Sequence, residues 1–246
     1  TKEEVRNILE FWEAGKGDAK NRVVLYNCTS GYPVPFEDVC LLEMRTMQEE
    51  YGHRVKAIGF SGHHLGIAVD VAAHALGATW VERHFTKDRT WKGTDHSASL
   101  EPAGLGKLCR NLHNAWKCMS FKKQDILPIE AVQRGKLKWG EYNADMVSKL
   151  RPSELVSTIL RGERPASQKE PIVQSIGPVV FRRPMVMAEI GCNHKGDKEI
   201  AKELLTLAKQ AGADYGKFQK RNPKEVLTEE QYNAPHPNVE NSYGDT

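Results

Sequence analysis

The sequence has no apolar run approaching the roughly 18 residues that a membrane-spanning helix needs. It has no CxxC pair. Its five cysteines, Cys28, Cys40, Cys109, Cys118 and Cys192, are odd in number and widely spaced. That pattern excludes a disulfide framework and reads as the reduced thiols of a cytoplasmic protein. An excess of charge is missing too. Lys and Arg number 35 and Asp and Glu 32, a formal net charge of +3. So small a balance makes no case for nucleic acid or a membrane surface as partner. The opening TKEEVRN does not read as a signal peptide. What is present is a chain of 246 residues, 39% hydrophobic and 27% charged. These are the proportions of a globular protein, and about 250 residues suffice for one (β/α)8 barrel.

The first 119 residues alternate helix and strand patterns. Val5, Ile8, Leu9 and Trp12 form a helical stripe over 2–14, which Gly15 and Gly17 end. RVVLYNCT then reads as a buried strand, 37–51 as a helix and KAIGFSG as a second strand. A helix over 66–76 follows, with Gly77 as its cap, then the strand TWVERHF and a long helix over 102–119. The stretch 120–183 is rich in Lys, Arg, Gln and Pro and takes no assigned fold. Within it, 150–162 reads as a short helix and RPASQKEP as linker. The pattern returns at 184–246. MVMAEIG is a strand, and GDKEIAKELLTLAKQAGAD is a helix with Asp197 as N-cap and Gly212 as C-cap. DYGKFQ is the next strand. AHALGATWVERHF and AKQAGADYGKFQ form a weak internal repeat, each a helix ending at Gly-Ala before a strand that finishes in polar residues. Parallel strands joined by right-handed crossovers are the expectation.

The strand ends carry the chemistry. AIGFSGH ends in His63, and WVERHF has His84 near its end. On neighbouring parallel strands two such imidazoles can share one divalent ion. Glu189 lies near the end of MVMAEIG, and Lys217 and Gln219 end DYGKFQ. In a barrel all these ends share one rim. Each residue alone has an ordinary structural reading. A lone strand-end His is more often a hydrogen-bonded residue than a ligand. Asp95 and His96 in GTDHSAS suit loop capping, and GCNHKGD suits a turn and helix start. His64 beside His63 leaves open which ring points inward. Together they describe a barrel-like enzyme with an anion site.

Seven segments resemble the N-acetylneuraminate (sialic acid) synthase family. MAEIGCNHKGD (187–197), GADYGKFQ (212–219) and NSYGDT (241–246) resemble the family's first third. CTSGYPVP (28–35), GFSGHHLG (59–66), GATWVERHFTKD (77–88) and DHSASLEP (95–102) resemble its last barrel third. The resemblance implies a (β/α)8 TIM-type barrel, circularly rearranged or incomplete. It also implies condensation of phosphoenolpyruvate with an N-acylated, N-acetylmannosamine-like hexosamine to a nine-carbon 2-keto acid, with release of phosphate. Carried over residue by residue, His63 and His84 match metal-binding histidines, and Lys217 and Ser61 match contacts to phosphoenolpyruvate. Glu189, Gln219, Tyr32 and Asp95 match residues around sugar and metal, and Asn241 and Tyr243 lie in the sugar-side segment. His63, Glu189 and Lys217 are the expected catalytic residues. The implied metal is Mn²⁺, with Mg²⁺ or Co²⁺ as alternatives, and the implied assembly is a homodimer.

Two motifs depart from the family's pattern. Its SDHT reads Ser61-Gly62-His63-His64 here, so the acid is gone. Its LLHC reads Leu25-Tyr26-Asn27-Cys28. The order departs as well. Residues 1–119 resemble the family's sixth to eighth βα units and 184–246 its first and second, with 120–183 between them as linker. The third to fifth units, which carry further phosphoenolpyruvate contacts in the family, have no counterpart. Five units leave an eight-stranded ring open unless another chain supplies the rest. Two other readings stand beside the synthase: a different metal-dependent barrel aldolase or isomerase, and a non-catalytic barrel fragment.

Overall fold

A computed structural model describes residues 1–15, 17–93, 95–137, 182–220 and 222–235 of the chain. The helix expected at 150–162, the linker RPASQKEP and the segment NSYGDT lie outside the described residues. The chain divides into two compact units, one of Thr1–Met119 with Val180–Thr246 and one of Ser120–Val179.

In the first unit the elements run α1 (Lys2–Ala14), α2 (Ala19–Arg22), β1 (Val24–Asn27), α3 (Glu43–Tyr51), β2 (Ala57–Gly62), α4 (Ala68–Ala75), β3 (Trp80–His84) and α5 (Pro102–Cys118). In the second unit, the described residues hold one helix, α6 (Pro128–Leu137), in a stretch whose sequence gave no periodic signal. The first unit resumes with β4 (Met185–Gly191), α7 (Lys198–Gln210) and β5 (Tyr215–Phe218), followed by two short helices, Pro223–Val226 and Glu229–Asn233. Local chemistry sets the boundaries. Thr1 and Glu4 form a capping box that starts α1. Asp197 accepts from the backbone N–H of Glu199 and Ile200 and so starts α7. Gly77 and Gly212 follow α4 and α7 with φ of 110° and 95°, a conformation that favours glycine just past a helix end.

The five strands form one parallel sheet in the order β1-β2-β3-β4-β5. Its central ladder joins the two sequence-distant halves, pairing Trp80 with Met185 and His84 with Glu189. The alternation of side chains along a strand then divides the residues between two faces. Val81, Phe85, Val186, Ala188 and Ile190 turn to the helices, where they pack with Leu105, Leu108 and Leu112 of α5 and Leu204 and Ala208 of α7. A second cluster joins Leu9 of α1, Met44 and Tyr51 of α3, Ile58 and Phe60 of β2 and Ala73 of α4. The other face carries the polar strand residues, with Trp80 and Tyr215 stacked at 5.3 Å near its N-terminal side. The parallel α/β architecture expected from the sequence is present.

Cys109 lies on α5 against the first cluster. Burial pushes its thiol up to about 11. Only the thiolate reacts, so at about pH 8 roughly one Cys109 in 10³ is competent. Alkylation at that pH is expected to label the exposed Cys118 and Cys192 and spare Cys109, whose labelling should rise as pH approaches 11. Peptide mass spectrometry reads this directly; equal labelling at pH 8 would contradict the burial of Cys109.

Candidate active site

Strand alternation puts Ser61 and His63 on the same face as Glu82, His84, Glu189 and Lys217. The ladders bring them level, with Ser61 beside Glu82, His84 beside Glu189 and Glu189 beside Lys217. Lys217 Nζ lies 2.6 Å from Glu189 Oε2 and 3.1 Å from Glu82 Oε2. Ser61 Oγ donates to Glu82 Oε1 at 3.3 Å. One ammonium therefore bridges two buried carboxyl groups, while its own side chain stays partly open to solvent.

The two histidines stand beside this cluster with ring centroids 5.0 Å apart. His63 Nδ1 is 3.0 Å from the carbonyl oxygen of Thr29. A carbonyl only accepts, so this contact places the proton on Nδ1 and leaves Nε2 with a free lone pair. The Cys28 thiol lies 3.9 Å from the same Nδ1. His84 Nδ1 is buried without a hydrogen bond, 3.6 Å from Asp95 Oδ2. Tyr32 closes the side, its ring 4.2 Å from that of His63 and 5.6 Å from that of His84. Asn193 donates to the Phe85 carbonyl at 2.9 Å and so ties the loop after β4 to the end of β3.

His64, the neighbour that left the inward ring undecided, turns the opposite way and is wholly buried. His63 is the ring on the site face.

Burial sets the protonation of the site. Burial lowers His63, the Cys28 thiol and the Thr29 carbonyl raise it by more, and the balance lies above the ordinary histidine value. Burial holds His84 below that value against the pull of Asp95. Burial also pushes the Glu189 carboxyl up despite the Lys217 ammonium beside it. At Lys217 burial works against the charge, but Glu189 and Glu82 outweigh it and hold the ammonium above its usual range. Lys217 therefore stays charged, while burial favours the protonated form of Glu189.

Of the residues singled out in the sequence, Ser61, His63, His84, Tyr32, Asp95, Glu189 and Lys217 gather here. Gln219 lies one residue past the end of β5. It lines an adjoining open cleft of about 500 Å³ with Cys192, His194, Lys195, Lys198 and Phe218. That cleft is roomier than the cluster, but the convergent titratable groups are at Lys217 and the histidines, and the chemistry belongs there. Asn241 and Tyr243 lie outside the described residues. Glu82 was not foreseen. Its signal was available in WVERHF, where Glu82 and His84 are two apart and so share a face.

The histidine pair passes a simple test of fit to a divalent metal. His84 keeps a buried nitrogen without a hydrogen bond, and His63 is held in the tautomer a ligand requires, by a carbonyl on its other nitrogen. Among the described residues no group of three or more His, Cys, Asp and Glu side chains is placed to hold a metal on its own.

The sheet and the cluster at its strand ends define a parallel α/β chain in which a lysine–carboxylate cluster adjoins a metal-compatible histidine pair. The model of the NeuB family matches residues 1–124, and the chain belongs to that family. The N-acetylneuraminate-9-phosphate synthase of Homo sapiens is 46% identical over 110 residues, which are 45% of this chain and 30% of that protein. The N,N'-diacetyllegionaminic acid synthase of Campylobacter jejuni is 38% identical over 168 residues, 64% of this chain and 48% of that protein. A crystal structure of the N-acetylneuraminic acid (sialic acid) synthetase of Leptospira borgpetersenii covers 56% of this chain and 47% of that one, at 28% identity and a TM-score of 0.45. The chain thus spans less than half the length of these relatives. No helix among the described residues is long and apolar enough to cross a membrane.

Proposed function

We propose that this chain carries part of the active site of a nonulosonic acid synthase, which condenses phosphoenolpyruvate with an N-acylated hexosamine and releases phosphate. In this reading the five strands are a portion of a (β/α)8 barrel, and their polar C-terminal ends are part of its mouth. The observation that carries the proposal is the Lys217 ammonium of β5 held between Glu189 of β4 and Glu82 of β3, the strand that also carries His84 of the His63–His84 pair.

The reaction forms a bond between C3 of phosphoenolpyruvate and the aldehyde carbon of the open-chain sugar. Water adds at C2 and phosphate leaves, so the products are a 2-keto acid and inorganic phosphate. Lys217 holds the anionic phosphoenolpyruvate as a point charge, with Ser61 beside it. The aldehyde oxygen needs a proton as it becomes a hydroxyl. Glu189, whose carboxyl is pushed up by burial, is suited to hold that proton and give it up. Tyr32, Asp95 and Gln219 bound the space on the sugar side. His63 and His84 would hold a divalent ion, Mn²⁺ or else Mg²⁺ or Co²⁺, which supplies Lewis-acid polarisation of a carbonyl oxygen when bound.

The test is phosphate release from phosphoenolpyruvate by the purified protein with Mn²⁺. The panel of N-acylated hexosamines should include both free and 6-phosphorylated sugars, because the human relative's name carries a phosphate. Release with one sugar, abolished by EDTA, is the result expected of the synthase, and it requires a whole barrel to be assembled in solution. Cleavage or isomerisation of a sugar without phosphoenolpyruvate would favour an aldolase or isomerase. No turnover of any kind by folded protein would favour a non-catalytic fragment.

A further inference from the structure

The site face of the sheet rests on a second set of polar residues turned the other way. Arg83 stands between Glu82 and His84 on β3, points to the helix side, and is 1% exposed. Its guanidinium donates to Asp70 Oδ2 of α4 at 2.7 Å, to the Gly66 carbonyl at 2.8 Å and to the His64 carbonyl at 2.7 Å. The His64 ring joins them, with Nε2 3.1 Å from Arg83 Nη1 and 3.3 Å from Asp70 Oδ2. Asp70 and His64 are wholly buried. Two of the guanidinium's acceptors are thus carbonyls of the loop that immediately follows His63. Asp70 is the carboxylate that balances the charge doing the holding.

Gly62 belongs to the same arrangement. A Cβ at that position would lie 2.7 Å from two atoms of the His64 ring and 2.8 Å from the Phe60 ring. Contacts under 3 Å between such atoms are not tolerated in a packed interior. The His64 ring therefore packs against position 62, and Gly62 is what makes room for it. Asp70 of α4 is the carboxylate that stands behind this loop.

We infer that Asp70, Arg83 and His64 are positioning residues for His63. They pin residues 63–66 to the end of β3, so that His63 keeps its Nδ1 proton on the Thr29 carbonyl and offers Nε2 to the site. Residues that orient a working imidazole from behind typically change affinity or activity by about 10–100-fold when removed. The inference rests on the proposed function only in taking His63 as a site residue.

The experiment uses the full chain labelled with ¹⁵N-histidine. Ring nitrogen shifts of His63, assigned with His63→Gln, report its tautomer and need neither metal nor substrate. The wild type is expected to show a single Nδ1–H tautomer. Asp70→Ala should give averaged nitrogen shifts at His63. Asp70→Asn, which keeps a hydrogen-bond acceptor and decides the matter if Asp70→Ala does not fold, should give the same change in smaller measure. A His63 spectrum unchanged in folded Asp70→Asn overturns the inference. Phosphate release from the same samples separates the two readings. No release from wild type, with a His63 tautomer that still depends on Asp70, removes the synthase and keeps the positioning role. Release by Asp70→Asn with kcat and KM both unchanged removes the positioning role; the expected result is a kcat lowered 10–100-fold with the KM for phosphoenolpyruvate held.

Discussion

Replacing Lys217 with Met is expected to lower phosphate release from phosphoenolpyruvate by about 10²–10³-fold, the usual loss when one preorganised electrostatic partner is removed. The ammonium lies 2.6 Å from Glu189 and 3.1 Å from Glu82 and is the positive group that answers both. Met keeps the length of the stem and deletes the charge. Two buried carboxyl groups then face each other without a counter-ion, and one of them is driven to hold a proton. The variant thus loses the attraction for an anionic substrate and gains a cluster that repels it. Lys217→Arg keeps the charge but offers a planar fork where a point charge fits, so partial activity is expected. Initial rates of phosphate release across phosphoenolpyruvate concentrations check this. A Lys217→Met protein with wild-type rates would remove the lysine from the site.

The largest effect on stability is expected from Arg83→Met, at about 3–5 kcal/mol, the range for removing one partner of a buried ion pair. Arg83 and Asp70 are both shielded from water, so Asp70 is left as an uncompensated buried charge and two loop carbonyls lose their donor. The double variant Asp70→Leu/Arg83→Met removes both charges together. Replacing a buried pair by apolar residues is often close to neutral, so most of the lost stability should return. Urea unfolding of the three proteins measures it as a midpoint shift at constant slope. An Arg83→Met midpoint equal to wild type would show that the guanidinium is not buried as described. The double variant also separates stability from function, because it restores a folded core without restoring a donor to the loop behind His63.

Much of this architecture was legible because short strands and capped helices leave strong local marks. Asp197 and Gly212 bracket α7 as their chemistry dictates, and the polar ends of β2, β3, β4 and β5 announced the site. His63, His84, Glu189 and Lys217 were found for that reason, and Ser61 through the resemblance of its segment. Glu82 was missed although the two-residue period places it with His84, because in VERH a charged pair flanks each choice of phase. The direction of His64 was undecidable locally. It depends on Asp70 and Arg83, which come from α4 and β3. Gln219 follows the last residue of β5, where strand alternation no longer governs a side chain, so its place in the adjoining cleft came only from the fold. The helix α6 has no apolar stripe strong enough to stand out in its polar surroundings.

The ladder between β3 and β4 has a kinetic meaning. The strands β1, β2 and β3 meet neighbours close by in sequence, and β4 meets β5 across a single helix, but His84 meets Glu189 only after a long excursion of the chain. Closing that loop fixes much more chain than any other pairing in the sheet, though its entropic penalty grows only as the logarithm of its length. Non-local pairing of this kind slows folding more than it weakens the folded state. The β3–β4 seam is on that ground expected to close late, and His84 and Glu189, one from each side of it, become neighbours only when it does.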